Sequence, residues 1–373
     1  MHDDDYMKQA LKLARRGLGK TSPNPMVGAI IVKDGRIIGT GYHRYFGGKH
    51  AEVNAIENAT INVRGSTMYI TLEPCFHFGK TPPCVDAVID SRIGKVVIGT
   101  QDPDPRVNGK SVEKLRQNGI NTTVGVLEDE CRSLNETYFK HRTTGLPFVT
   151  VKFAQTLDGK IAAADGSSRW IASPPSLKLA HKLRARHDAI LAGIGNVLID
   201  DPELTLRLVK GRSPVRIILD SKLRIPLDAK VLRNQEKAPT IIATTPAADD
   251  KKLAVLRDRG IEVLIVATDL AGGVDIARLL SALGERDITS VLVEGGSRVT
   301  TAFFRRSLVD RLVAIIAPKV IGSGLESVGN LNIENINRAL KLSFEKTYRL
   351  GDDFVIEARI TTIQENSSGE TLS

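Results

Sequence analysis

Short runs of valine and isoleucine alternate with amphipathic stretches along most of this chain, and few folds accommodate that alternation. Short β-branched runs bounded by turn residues read as strands, and apolar residues spaced three and four apart read as helices. Met7, Ala10, Leu11, Ala14 and Leu18 form the first apolar stripe and predict a helix over 3–16, opened by three aspartates that suit the positive end of its dipole. Ser22-Pro23-Asn24-Pro25 is a turn, and strands at 27–32 and 37–42 flank a hairpin turn at Lys33-Asp34-Gly35-Arg36. Helices follow at 51–59, 84–91, 110–118 and 128–141, and strands at 67–72, 95–100 and 121–125. This order predicts α/β architecture with parallel strands.

Thr143-Thr144-Gly145-Leu146-Pro147 interrupts the pattern and predicts a boundary between a domain at 1–146 and another at 147–365. The second series has strands at 148–154, 188–193, 215–219, 239–243, 261–266, 289–293 and 311–317. Its helices fall at 174–185, 249–259, 274–283 and 297–306, and the polar end, 366–373, is expected to be a disordered tail. Two domains suit 373 residues at roughly 100–200 residues each.

Several function classes are excluded by what the chain lacks. No stretch approaches the roughly 18 consecutive apolar residues of a membrane span. The opening MHDDDYMKQA is acidic where a signal peptide is basic and then apolar, so a cytoplasmic location is expected. Three cysteines are too few for a disulfide scaffold of this length. Cys131, within a helical pattern, reads as a small buried hydrophobe. The net charge of +9 divides into +4 over 1–146 and +5 over the remainder, so no basic arm announces a nucleic-acid partner. The balance suits a small phosphorylated ligand, which needs only one or two local cations.

The densest chemistry is His50-Ala51-Glu52, then Thr71-Leu72-Glu73-Pro74-Cys75, then Pro82-Pro83-Cys84. One histidine and two cysteines give zinc three ligands and leave a fourth position for water, the arrangement of catalytic sites. A structural zinc would ask for a fourth Cys or His, and none lies at suitable spacing. Zinc lowers the pKa of bound water to about 7. Glu52 is the candidate to carry the proton from that water to a leaving amine. Residues i and i+2 of a helix do not share a face, so His50 and Glu52 can serve one metal only if His50 is the helix N-cap. Pro82-Pro83 predicts Cys84 in the first turn of a helix. Three element starts would thus converge at one end of a sheet, where open α/β sheets bind ligands. Glu73, at a strand end, reads as a hydrogen-bonding structural acid rather than a fourth ligand.

His50-Ala51-Glu52 with Pro74-Cys75 resembles the cytidine-deaminase-like zinc enzymes, whose signature is H-x-E…P-C-x-x-C. Here eight residues, not two, separate the cysteines. The longer form, TLEPC-x-H-x-G-K-T-P-P-C, is similar to that of the bifunctional riboflavin-biosynthesis deaminase/reductases, and the similarity extends through nearly the whole chain. It implies a cytidine-deaminase-like three-layer α/β/α domain followed by a dihydrofolate-reductase-like α/β domain. It also implies a ribosylated pyrimidine 5′-phosphate as substrate and a homo-oligomer. His77, Lys80 and Thr81 lie on the added loop, where a cation and neighbouring donors can hold phosphate. Asn24 and His43 match substrate positions of the family; from the residues alone, Asn24 is equally a turn residue and His43 a core histidine.

In the second half, Val291-Leu292-Val293-Glu294-Gly295-Gly296-Ser297 is a strand, a Gly-Gly turn and a helix start. It is either a phosphate cradle or a plain βα turn. Gly193-Ile194-Gly195 lacks the third glycine of a Rossmann fingerprint, because position 198 is Leu. The runs 152–159, 168–171 and 200–207 resemble the family's NADPH-dependent reductase. The resemblance implies cofactor contacts at Ala154, Trp170, Asn196, Asp200, Ser221, Gly296, Ser297, Arg298, Val299, Thr300, Thr301 and Ala302. It implies substrate contacts at Ser168, Arg184, Leu204, Arg207 and Glu294. Arg184 and Arg207 are expected to clamp the phosphate, and Lys152 and Glu294 are candidates for the acid of the reduction. Thr156 stands where many relatives have Ser, and Asn196 where Thr is usual. Two rival readings are a tRNA or other nucleic-acid deaminase with an accessory domain, and a non-catalytic nucleotide-binding protein with zinc. The long Cys–Cys loop and the large second half speak against the first; metal analysis with an ammonia assay separates the second.

Overall fold

The computed structural model describes residues 2–76 and 83–361. His77, Lys80, Thr81 and the expected tail at 366–373 lie outside them. The chain divides into two compact units, one of residues 1–147 with 281–289 and one of 148–280 with 290–373.

The first unit contains α1 (Asp3–Ala14), β1 (Gly28–Lys33), β2 (Arg36–Tyr42), α2 (Ala51–Glu57), β3 (Thr67–Leu72), α3 (Cys84–Asp90), β4 (Lys95–Thr100), α4 (Lys110–Gln117), β5 (Asn121–Val124), α5 (Glu128–Leu134) and α6 (Glu136–Thr144). Its sheet runs β2-β1-β3-β4-β5. The strands β3, β4 and β5 are parallel, whereas β1 is antiparallel to both its neighbours, so the sheet is mixed rather than all parallel. The period-2 alternation of each strand feeds two cores. Ala29, Ile31, Met68, Ile70, Val96 and Ile98 pack with α2, α3 and α4 residues such as Ala55, Val88 and Leu115. Ile30, Val32, Tyr69 and Val97 pack with Met7, Ala10 and Leu11 of α1 and with Cys131, fully buried as expected. The result is the three-layer α/β/α sandwich.

The helix expected over 128–141 is interrupted at Asn135. Its buried carboxamide accepts from the Met26 amide at 2.8 Å and donates to the Met26 carbonyl at 2.9 Å. That exchange satisfies the loop before β1 and turns the chain, so that α6 carries Tyr138 to a cavity wall.

Helix α2 lies very close to β2. A Cβ on Gly41 would collide with the Ala51 carbonyl oxygen and the Ala55 amide nitrogen. Gly41→Ala is therefore expected to destabilise the first unit by about 1–3 kcal/mol. Because α2 begins at Ala51, next to His50, zinc content per chain should fall with it. Calorimetry and metal analysis check both.

The second unit contains β6 (Phe148–Thr156), β7 (Lys160–Ala163), α7 (Pro174–Arg184), β8 (Ala189–Gly193), α8 (Ile194–Asp200), β9 (Val215–Leu219), β10 (Thr240–Thr244), α9 (Asp250–Asp258), β11 (Glu262–Ile265), the first part of α10 (Ile276–Gly284), whose end at 281–284 is counted with the first unit, β12 (Ser290–Val293), α11 (Ser297–Arg305), β13 (Arg311–Ala317), β14 (Gly324–Glu326), β15 (Lys341–Leu350) and β16 (Asp353–Thr361). Nine strands form one sheet in the order β11-β10-β9-β8-β12-β6-β13-β16-β15, and β14 pairs with β7. The sheet is parallel through β13, as the alternation of strands and helices implies, and closes with antiparallel β16 and β15. Residues 341–350 have no continuous apolar run and their side chains are mostly exposed, so only the alternation of Leu342, Phe344, Tyr348 and Leu350, a signal the sequence reading passed over, marks β15. Helix α8 was also unanticipated; it follows Gly193, its N-cap.

Candidate active site

In the first unit, His50 is the N-cap of α2 with extended backbone (φ −75°, ψ 170°), which turns its ring away from the helical spiral. Asn54, one turn on, donates to the Lys49 and Tyr42 carbonyls at 3.0 Å each and pins this start. Cys75 follows β3, and Cys84 is the first residue of α3. The ligand atoms of His50, Cys75 and Cys84 lie within 4.8 Å of one another, with His50 Nδ1 3.1 Å from Cys84 Sγ and 3.6 Å from Cys75 Sγ. Zn–S and Zn–N bonds of about 2.3 and 2.0 Å place tetrahedral ligand atoms at separations of this order. The Cys84 backbone N–H donates to Cys75 Sγ at 3.2 Å. The Cys84 side chain and this N–H hold the Cys75 thiol well down against burial, and the adjacent Cys75 sulfur pushes Cys84 up. Zinc binds both cysteines as thiolates, so its binding would release their protons.

Glu52 is 2% exposed, and its Oε2 has no hydrogen-bond partner among the described residues. Burial pushes its carboxyl up to about 7, against the pull of His50. An acid poised near neutrality beside a three-ligand metal cluster can take a proton and return it. The residues present fit zinc.

His43 packs edge-on to His50 with ring centroids 5.0 Å apart. Its Nδ1 is 3.2 Å from the Lys49 carbonyl and its Nε2 3.4 Å from Asn24 Nδ2. With Nδ1–H donating to the carbonyl, Nε2 is left to accept from Asn24. Burial lowers the His43 pKa and keeps the ring neutral. The Asn24 backbone N–H closes a turn onto Thr21 at 2.8 Å, and the residue lines the same cavity as His43, His50, Glu52 and Cys75.

The same cavity is also lined by residues the sequence reading passed over: Asp102, Asp104, Arg106, Tyr138 and Arg142. Asp102-Pro-Asp follows β4 as Cys75 follows β3, and polar residues just beyond parallel strands were the available signal. Asp102 accepts the Tyr138 hydroxyl at 3.0 Å, and burial raises its pKa to about 6. Glu73 accepts backbone N–H groups, as expected of a structural acid.

In the second unit, a separate cavity is lined by Ala154, Ser168, Trp170, Asn196, Asp200, Arg207, Glu294 and Gly296, together with Lys152. Its floor is ionic. Arg184 binds Glu294 bidentately at 2.8 and 2.9 Å, and Lys152 Nζ lies 3.7 Å from the same carboxylate. Burial alone would raise Glu294, but Arg184 and Lys152 outweigh it and hold the carboxyl down to about 2. Of the two cations expected to clamp the phosphate, Arg184 is engaged by Glu294 and the Thr205 carbonyl, and Arg207, which lines the cavity, pairs with Glu203 at 3.3 Å. Leu204 is 5% exposed with its side chain in the core, so only its backbone is left for a ligand.

Gly296 is the N-cap of α11, and its N–H donates to Asn196 Oδ1 at 2.9 Å. The carboxamide standing where Thr is usual thus braces the Gly-Gly turn. Ser297, Thr300 and Thr301 are buried, Arg298 is exposed, and Val299 packs against Gly193 and Gly295. Thr301 Oγ1 donates to the Ser297 carbonyl at 2.6 Å, and Ala302 lies on the following turn. Ser221 is not among the residues lining the cavity; its carbonyl accepts the Thr245 hydroxyl at 2.9 Å.

Comparison with known proteins finds matches for both halves of the chain. The cytidine and deoxycytidylate deaminase zinc-binding region matches residues 1–100, and the RibD C-terminal domain matches residues 147–356. The riboflavin biosynthesis protein RibD of Aquifex aeolicus (strain VF5) is 49% identical over 355 residues, covering 95% of this chain and 97% of that protein. The RibD of Escherichia coli (strain K12) is 37% identical, covering 95% and 98%. Among solved structures, the diaminohydroxyphosphoribosylaminopyrimidine deaminase/5-amino-6-(5-phosphoribosylamino)uracil reductase of Thermotoga maritima superposes with a TM-score of 0.85 at 40% identity, covering 96% of this chain and 99% of that one. A zinc-ligand cluster beside an acid in one unit, an ionic cavity beside a braced Gly-Gly turn in the other, and relatives that match from end to end lead to one assignment: the chain belongs to the RibD family of bifunctional riboflavin-biosynthesis deaminase/reductases.

Proposed function

We propose that residues 1–146 deaminate 2,5-diamino-6-ribosylamino-4(3H)-pyrimidinone 5′-phosphate and that residues 147–365 reduce the ribose of the product with NADPH, giving 5-amino-6-ribitylamino-uracil 5′-phosphate. The observation that carries the reading is the cluster of His50, Cys75 and Cys84 in one cavity with the unpartnered, buried Glu52 oxygen. His50, Cys75 and Cys84 hold zinc, which when bound makes water nucleophilic near neutral pH. Glu52 would pass one proton of the attacking water to the ring nitrogen and, in a second transfer, the proton of the newly formed hydroxyl to the amino group, which leaves as ammonia. Neutral His43 and Asn24 hold the pyrimidine, and Lys80, Thr81 and His77 take the phosphate. In the reductase, the first turns of α11, from Gly296 to Ala302, with Ala154, Trp170, Asn196, Asp200 and Ser221, hold NADPH. Ser168, Arg207, the Leu204 backbone and the Arg184–Glu294 pair orient the ribose phosphate, with Lys152 and Glu294 nearest in role to the proton transfer. Hydride chemistry belongs to the cofactor; the residues' task is placement.

The partner is a small molecule rather than nucleic acid, and the chain acts as a homo-oligomer in the cytoplasm. Three unpaired cysteines suit a reducing compartment, and no described helix is long and apolar enough to cross a membrane. The test is incubation with the diaminopyrimidine phosphate, with and without NADPH, followed by mass measurement. Deamination should raise the mass by about one unit and reduction by about two. A chelator should stop the first shift while leaving NADPH oxidation on supplied deaminated product. Failure of the first shift with zinc-loaded protein would overturn the deaminase reading.

A further inference from the structure

We infer that Glu73 is a positioning residue for deamination, holding a segment that lines the same cavity as the zinc cluster. Its carboxylate, 3% exposed, accepts four backbone N–H groups: Asp102 at 3.2 Å and Gly109 at 3.0 Å on Oε2, Ser111 at 3.1 Å and Val112 at 3.3 Å on Oε1. No cation pairs with Glu73 among the described residues. The acceptor set is divided, one oxygen holding the start and middle of the 102–112 segment and the other holding the first turn of α4. Ser111 adds a second tie, its hydroxyl donating to the Pro74 carbonyl at 2.7 Å. The Glu73-Pro74 step therefore joins two things that chemistry must keep in register. On one side it leads directly into Cys75. On the other it grips the segment that brings Asp102, Asp104, Arg106 and Val107 to the cavity.

A neutral helix cap would not do this equally well. A carboxylate has acceptors on both oxygens, whereas a glutamine offers one acceptor and one donor. In Glu73→Gln the amide NH₂ must face either the Asp102 and Gly109 donors or the Ser111 and Val112 donors. Two N–H groups then lose their acceptor and the segment loses one of its two grips. Asp102 is itself tied onward, accepting the Asp104 N–H at 2.9 Å and the Tyr138 hydroxyl at 3.0 Å, so a shift of the segment moves a connected wall rather than one side chain. His50, Glu52 and Cys84 sit at the starts of α2 and α3, to which the Glu73 carboxylate makes no hydrogen bond among the described residues.

This inference rests on the proposed deaminase reading, and steady-state kinetics of ammonia release from the diaminopyrimidine phosphate tests it. Glu73→Gln in the full-length, zinc-loaded protein should raise KM tenfold or more while kcat changes less than threefold. Zinc per chain and NADPH oxidation by the second unit should match wild type. An unchanged KM, or a fall in kcat in step with lost zinc, overturns the positioning role. Should Glu73→Gln not accumulate as folded protein, Ser111→Ala decides, because it removes the second tie without leaving a buried donor. A KM raised threefold or more supports the inference, and an unchanged KM overturns it. Absence of ammonia release by the wild type would instead overturn the deaminase reading itself.

Discussion

Glu52→Gln is expected to cut ammonia release by about a thousandfold, the usual scale for loss of a positioned acid–base group. Zinc content should persist, because the three ligand side chains are untouched, and NADPH oxidation on supplied deaminated product should remain. Near wild-type deamination by this variant would show that another group moves the proton. The same substitution carries a stability signature. Burial raises the Glu52 carboxyl from its ordinary 4.5 to about 7 in the metal-free chain. A raised carboxyl favours folding while protonated, so its support is full below about pH 4.5 and is lost as pH rises through 7. That difference is worth about 3 kcal/mol. After chelation, Glu52→Gln should therefore unfold at a higher temperature than wild type at pH 8, and the gap should close toward pH 4.5. Calorimetry of the first unit's transition reads the effect.

Glu294→Gln should do the opposite to the second unit. Arg184 and Lys152 would be left in the cavity floor without their counter-charge, a change that costs about 3–5 kcal/mol for buried pairs. The second unit's unfolding transition should fall by roughly 10 °C. NADPH oxidation should be lost, while ammonia release continues, since the zinc cluster belongs to the other unit. Glu294 is held down to about 2, so its contribution is present above about pH 4.5 and disappears as pH falls toward 2. Wild type and variant should therefore converge in stability with acidification. Equal transitions of the two proteins at pH 7 would mean that the Arg184–Glu294 pair is not what holds this floor together.

These two carboxylates illustrate how far the sequence could be read. Glu52 was legible because its neighbours in the chain are its neighbours in the site: His50 two residues before, at a helix start that local residues impose. The sheet faces were legible for the same reason, since alternation along each strand is local. Glu294 was visible as a candidate, but its environment was not. Arg184, expected to meet a phosphate, proved to be its partner across 110 residues of chain. Asn196, noted for a missing hydroxyl, braces the Gly296 N–H from 100 residues away. The broken helix at Asn135 belongs to the same class, because its partner Met26 lies in another element.

By itself, the sequence determined the kind of chemistry: the zinc ligands, the acid beside them, the α/β order and the break near Pro147, all encoded in residue type and short spacing. Only the tertiary structure decided which charges are free to meet a substrate and which neutralise one another, and which segments wall the deaminase cavity. The physical reason is range. Helix and strand patterns repeat over three to four residues or two, and spacing therefore reports them. Ion pairing, burial and the grip of Glu73 on residues 102–112 depend on elements brought together by packing, which no local period records.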